Sequence, residues 1–488
     1  LVSDNIDAEH TEMWPGGRTN HYWFDLNRDW AWLSQVESQQ RIKVYNQWMP
    51  HVIADLHEMG VNEPYYFAPA AQPYHEYITK WQGDFQHSIG RNHAKYFDKE
   101  GWLYFTREIF DLLYPSYGDS YPIFGGGIGM TYEQGGSGRA GKAIEMHNEE
   151  ILKLSDRIAH HKTTSLSTIE ISSLNASNIV SEFEKFYSES KNNPRGDYKA
   201  YIIKGTNPKG SLTKLLNLLE SHGIEYGTGN VAKSKVGWSF KEGKQQTFSV
   251  NKDDIVIPIN QARGLFTQVL FEPNTKVVDS VTYDITAWSL PFAFGLEAYG
   301  VKDNMSINSI LKNQKVASNS IDPAYAYIIE WNALASMQLV ADLMKSKVNM
   351  RRASAEFTIN NKRFSPGAII ITRADNRRNE NLNEIINEAS RNHPDAIIST
   401  VETGYSDNGI DIGSSRNNLL KPINVLTIRG DNVSPYSHGE IWHFFEQQIE
   451  YPITIVERTS LPSMDLSKYS HIIFPEGWYR YNEDQIKK

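Results

Sequence analysis

The sequence predicts an α/β chain, and three observations carry that reading. Short apolar runs, such as Val52-Ile53-Ala54 before Asp55-Leu56-His57, and Val425-Leu426-Thr427-Ile428, have the length and composition of buried strands. Between such runs lie longer stretches whose apolar residues recur at helical spacing, as in 32–48 and 212–220. Pro and Gly separate the two kinds of segment, at Pro50, Pro115, Pro122 and the glycines 125–127.

Taken in order, residues 32–48 read as a helix that Pro50 stops, and 51–57 as the strand that follows. Residues 58–73 read as a Pro- and aromatic-rich loop, 76–96 as a helix and 114–127 as a second loop. A short strand at 128–133 and a helix at 139–160 complete the first domain, 1–162, and the polar stretch 161–173 reads as a linker. A strand–helix–strand pattern then recurs three times: 201–204, 212–220 and 224–226; 327–330, 337–344 and 348–350; 425–428, 440–446 and 453–456. The first two copies share a closing pair of strands, at 248–257 and 357–371. The expected domains are therefore 1–162, 174–315, 316–422 and 423–488.

Composition narrows the function. Of 488 residues, 40% are hydrophobic and 22% charged, ordinary for a globular chain, and the net charge is −9. Nucleic acid is a poor partner for an acidic chain, because phosphate binding needs a basic face. No apolar run is long enough to span a bilayer. The chain has no Cys, which removes disulfides, thiolate zinc sites and thiol nucleophiles together. The glycine run 125–129 leads into a strand, so it is not a phosphate cradle, which needs a helix after it. The run 135–139 precedes a helix but lacks the Lys-Ser/Thr ending of a P-loop.

The segment 14–60 concentrates candidate chemistry. His57 ends a strand, where a His acts as a metal ligand or general base, and Arg28 offers a planar fork that fits a carboxylate. On the residues alone, a hydrogen-bonded structural His and an ordinary Arg–Asp ion pair read equally from the same pattern.

Arg18, then Asp25-Leu26-Asn27-Arg28-Asp29-Trp30, then Asp55-Leu56-His57-Glu58, followed by 114–120 (YPSYGDS) and Thr131-Tyr132-Glu133, resemble in their order the zinc metallocarboxypeptidase family (carboxypeptidase A-like). The likeness covers residues 10–160. It implies a mixed sheet with flanking helices and hydrolysis of C-terminal peptide bonds, with a carboxylate-ended peptide as substrate. It also implies His57 as a zinc ligand, Glu133 as general base and Arg18 on the oxyanion. Asn27 and Arg28 would hold the substrate carboxylate. Tyr114 would close over the substrate, with Tyr117 as the alternate. Asp119 would line the pocket for the terminal side chain, or else cap its own turn. The resemblance further implies a secreted or periplasmic protein.

One element departs from the family. Its first two zinc ligands form a His-x-x-Glu motif upstream of the oxyanion Arg, and nothing upstream of Arg18 fits, since His10 is followed at the third position by Met13. The three matches in the chain, His147/Glu150, His222/Glu225 and His443/Glu446, all come after Glu133. The resemblance then implies two further zinc ligands before residue 1, and weak zinc binding with no activity for residues 1–488 alone. The last unit, 423–488, resembles the start of a glutamine-amidotransferase-like, flavodoxin-type domain through 469–477 (YSHIIFPEG). With no Cys nucleophile it reads as accessory. Two other functions fit the same residues: a non-catalytic protein that binds carboxylate-ended peptides or cell-wall fragments, and a zinc amidase or deacylase.

Overall fold

The computed structural model describes residues 12–278, 281–285, 287–313 and 320–480. The chain is mixed α/β, with several sheets. It divides into two compact units. One comprises Asp25–Asn207 and Leu215–Lys312, with the described residues before Arg18. The other comprises Arg18–Phe24, Pro208–Lys214 and the described residues after Lys312.

The first unit begins with a four-stranded sheet. Its strands are β1 (Val52–Met59), β2 (Tyr65–Tyr66), β3 (Tyr104–Phe105) and β4 (Ile128–Gly135), in the order β1-β4-β2-β3. β1 and β4 are parallel, whereas β2 is antiparallel to β4, so the sheet is mixed. Parallel neighbours need a long crossover, and here it contains helices α2 (Lys80–Glu100) and α3 (Ser120–Phe124). Alternation along the strands separates two faces. Val52, Ala54, Ile128, Met130 and Tyr132 join the core with Phe85, Ile89 and Phe97 of α2. The intervening residues Asp55, His57, Thr131 and Glu133 leave the opposite face.

Helix boundaries follow their capping chemistry. Helix α1 (Val36–Trp48) ends at Met49, in the left-handed region at φ 43°, before Pro50. Helix α2 starts later than its apolar pattern suggests, because Thr79 and Gln82 form a reciprocal capping box. It ends at Gly101, where φ is 70°, a conformation that favours glycine.

Two sequence expectations are corrected here. Residues 139–160 are not one helix: Ala143–Glu145 and Ile151–Lys153 pair as an antiparallel hairpin. The expected linker at 161–173 is the body of helix α4 (Leu154–Leu174), which packs on α2 and β4.

The first unit also holds a seven-stranded antiparallel sheet, in which Ala200–Ile203 pairs with Ile255–Pro258 and Ala298–Val301. The second unit repeats this theme. Ala326–Ile329, again Ala-Tyr-Ile-Ile, pairs antiparallel with Ile369–Thr372 in a five-stranded sheet, and both strands are fully buried. The third copy differs: Val425–Arg429 lies between Ile453–Glu457 and His471–Ile473, all parallel. No helix among the described residues is long and apolar enough to cross a membrane.

Candidate functional site

The segment 25–29 gives each side chain a separate task. Asp25 caps the 3-10 turn Leu26–Arg28 by accepting from the Asn27 amide at 2.9 Å. Asp29, buried, accepts from the Ser34 and Gln35 amides at 2.8 and 2.9 Å and so orders the approach to α1. Arg41 of α1 donates to the Leu26 carbonyl at 2.9 Å and stacks over the Trp30 ring at 3.9 Å, which pins the turn from behind. With its neighbours engaged, Asn27 turns towards β1. Its Nδ2 lies 3.3 Å from His57 Nε2, and its Oδ1 accepts from the Gly118 amide at 2.7 Å.

The register of β1 and β4 places His57 opposite Glu133 and Asp55 opposite Thr131. Paired strands lie about 4.8 Å apart, so these four side chains share one face at one end of the sheet. Asp55 Oδ2 is 2.9 Å from His57 Nε2. That nitrogen serves only one of its two polar neighbours at a time: it donates to Asp55 or accepts from Asn27. Glu133 is buried, and Tyr66 of β2 pairs with it from the other side. Glu58, next to His57 in sequence, points the other way and is held by two hydrogen bonds from Arg157, one of them Nε to Oε1 at 2.8 Å.

The 114–120 loop is stitched to the 28–31 segment. Ser116 Oγ accepts from the Ala31 amide at 2.8 Å and donates to the Arg28 carbonyl at 2.9 Å. Tyr114 is buried, and its hydroxyl is bonded to the Trp32 indole and to the Arg28 carbonyl. Tyr117 is the tyrosine under the Arg28 guanidinium, 4.6 Å from ring centroid to carbon. A Cβ at Gly118 would lie 2.3 Å from Asp55 Oδ2, so a larger residue there would push the Asp55 carboxylate aside. Asp119 stands at the N-cap of Ser120–Phe124. Its Oδ2 accepts from Thr131 at 2.8 Å, and burial, with some repulsion from Asp55, pushes the carboxyl up to about 6 against the pull of that hydrogen bond.

Asn27, Arg28, His57, Tyr114, Asp119 and Glu133 therefore belong to one unit, linked through the Asn27–His57, Asn27–Gly118 and Thr131–Asp119 contacts. Arg18 sits on an exposed bend in the segment that clusters with the second unit. Arg28 already has carboxylate partners: its Nε donates to Asp284 at 2.8 Å, and Asp25 lies 3.5 Å from Nη1. Sequence reading missed Asp55, Arg41, Tyr66 and Asp284. Asp55 was recoverable, because a residue two before His57 on a strand shares its face. Nothing in the sequence announces Asp284.

His57 Nε2 and the Asp55 carboxylate are donors of the type zinc takes, but a catalytic zinc takes three protein ligands. Among the described residues, no group of three or more His, Cys, Asp or Glu side chains is placed to hold a metal. None of the later His-x-x-Glu matches forms such a group among the described residues. Both nitrogens of His222 are hydrogen-bonded, to Tyr121 and the Ala31 carbonyl, and burial lowers its pKa to about 4. His147 lies on a turn, its amide bonded to Asn62. Glu446 accepts from Tyr22 and Trp442. No protein family, curated protein or solved structure matches the chain.

Proposed function

We propose that the chain carries the general-base and carboxylate-binding side of a zinc-dependent carboxypeptidase-like hydrolase. The observation that supports this most is the β1/β4 register, which sets His57 beside Glu133 while Asn27 ties His57 to the turn bearing Arg28. Arg28 and Asn27 hold the terminal carboxylate of a peptide. The planar guanidinium fork favours a free terminal carboxylate over an amide, which carries no charge to pair with it. Glu133 takes a proton from the attacking water and returns it to the leaving amine. Tyr114 or Tyr117 closes over the substrate, and Asp119 lines the terminal side-chain pocket. Zinc, when bound, lowers the pKa of its water and polarises the scissile carbonyl. His57 is one ligand in this reading, and the donors that complete the cage lie outside the described residues.

The lack of a three-donor group favours one alternative, a protein that binds carboxylate-ended peptides without cleaving them. Turnover of benzoyl-glycyl-phenylalanine in added zinc separates the two. Where the remaining zinc donors are supplied, the hydrolase reading expects zinc-dependent release of phenylalanine that falls roughly 100-fold or more in Glu133→Gln. Peptide binding with no turnover even then, indifferent to zinc and to Glu133→Gln, would establish the binding protein instead. In the last unit, the strand order second-first-third, all parallel, is the order in which flavodoxin-type sheets begin and supports an accessory domain of that type.

A further inference from the structure

Asp284 reaches Arg28 from far along the chain, out of the connection between helices Gly264–Phe271 and Leu290–Ala293. The approach is fixed at several points. The Tyr283 amide donates to Asp111 Oδ2 at 2.7 Å, and Asp111 Oδ1 accepts from the Leu113 amide at 3.1 Å, so the segment is anchored to the strand before the tyrosine loop. The Tyr283 ring lies 5.2 Å from Phe110 and 6.3 Å from Tyr117. Phe110 in turn lies 4.7 Å from Tyr66, the neighbour of Glu133. An aromatic wall thus runs from Glu133 round to Arg28, and Tyr283–Asp284 presents an aromatic ring and a carboxylate along it.

We infer that Asp284 is a built-in competitor: its carboxylate occupies the Arg28 position that an incoming peptide carboxylate would take, so ligand must displace the Asp284 carboxylate to bind. This inference rests on the proposed role of Arg28 as the carboxylate-binding residue. Two features distinguish the contact from a structural ion pair. The side chains of Arg28 and Asp284 are 26% and 36% exposed, so solvent reaches the pair. Arg28 uses Nε towards Asp284 with Nη1 towards Asp25, short of the parallel two-bond fork that a free carboxylate makes with a guanidinium.

The test is binding, which needs no activity. Benzoyl-glycyl-phenylalanine and its C-terminal amide are titrated by calorimetry into the full chain and into Asp284→Asn, Asp284→Glu and Arg28→Gln. If the competitor occupies the subsite nine-tenths of the time, Asp284→Asn binds the free acid about tenfold tighter, because apparent affinity scales with the competent fraction. The amide is unaffected, and Asp284→Glu, which keeps the charge, stays near the parent. Equal or weaker acid binding in Asp284→Asn overturns the inference, as does the same gain in Asp284→Glu, which would mark loosening of the segment and not removal of a charge. In either case the role of Arg28 survives if Arg28→Gln loses acid binding. Acid and amide binding alike in the parent, with no effect of Arg28→Gln, would remove that role and the inference together.

Discussion

The two faces of β1 and β4 are built from neighbouring residues and do opposite work. On one face Met130 and Tyr132 are buried against α2 and α4, and Glu58 is locked to Arg157 by two hydrogen bonds. On the other, Asp55, His57, Thr131 and Glu133 share a face, with Asp55 2.9 Å from the His57 ring, Asn27 beside that ring and Asp119 bonded to Thr131. The carboxylate on the packed face has a dedicated arginine. On the site face, Asp119 is held by a neutral hydroxyl and resists ionisation. The comparison separates residues expected to carry stability from residues that the proposed function would use.

The largest expected effect lies on the packed face. Met130→Ala removes a buried side chain from the first core and should cost about 2–5 kcal/mol in urea unfolding. A loss well under 1 kcal/mol would mean that the sheet is not held by this core. Next comes Asp119→Asn, with the opposite sign. The folded-state pKa of Asp119 is raised, so its contribution to stability is complete below about pH 4 and is lost as pH climbs through about 6. The amide removes that loss, so the variant should be more stable at pH 8 by up to about 3 kcal/mol and no more stable at pH 4. Midpoints measured at the two pH values decide it, and a gain that does not depend on pH would contradict the assignment to this carboxyl. Smaller again is Glu58→Gln, which weakens a charge-assisted pair and should cost about 1–2 kcal/mol while peptide binding stays unchanged. A change in binding there would show that the two faces are not independent.

Much of this arrangement is legible in the chain. The strand ending near His57, the strand carrying Glu133 and the helix before Pro50 follow from apolar runs and breakers, and Asp25 and Asp29 are ordinary cap residues around a turn. Helix α4 was not legible. Its sequence around 160–173 (HHKTTSLSTIEISS) has no apolar stripe, because its buried positions are Thr164, Ser167 and Thr168. They pair with the Tyr65 hydroxyl, the His93 ring and the Tyr132 hydroxyl. A helix that packs through hydroxyls reads as a polar linker. The antiparallel pairing of the two Ala-Tyr-Ile-Ile strands was equally hidden, since a run buried on both faces carries no sign of its direction. The candidate site residues were proposed from motif order, but the pairing of His57 with Glu133 is a matter of register, and the arrival of Asp284 at Arg28 is a long-range contact with no local signal.

The central claim is that the ends of β1 and β4 and the Asn27–Arg28 turn form one site for a carboxylate-ended peptide. A crystal structure of the chain soaked with benzoyl-glycyl-phenylalanine tests it most directly. The account predicts the terminal carboxylate within about 3 Å of the Arg28 guanidinium nitrogens, Asp284 displaced, and the last peptide carbonyl lying on the face shared by His57 and Glu133. Peptide bound elsewhere on the molecule, with Asp284 still on Arg28, would contradict it.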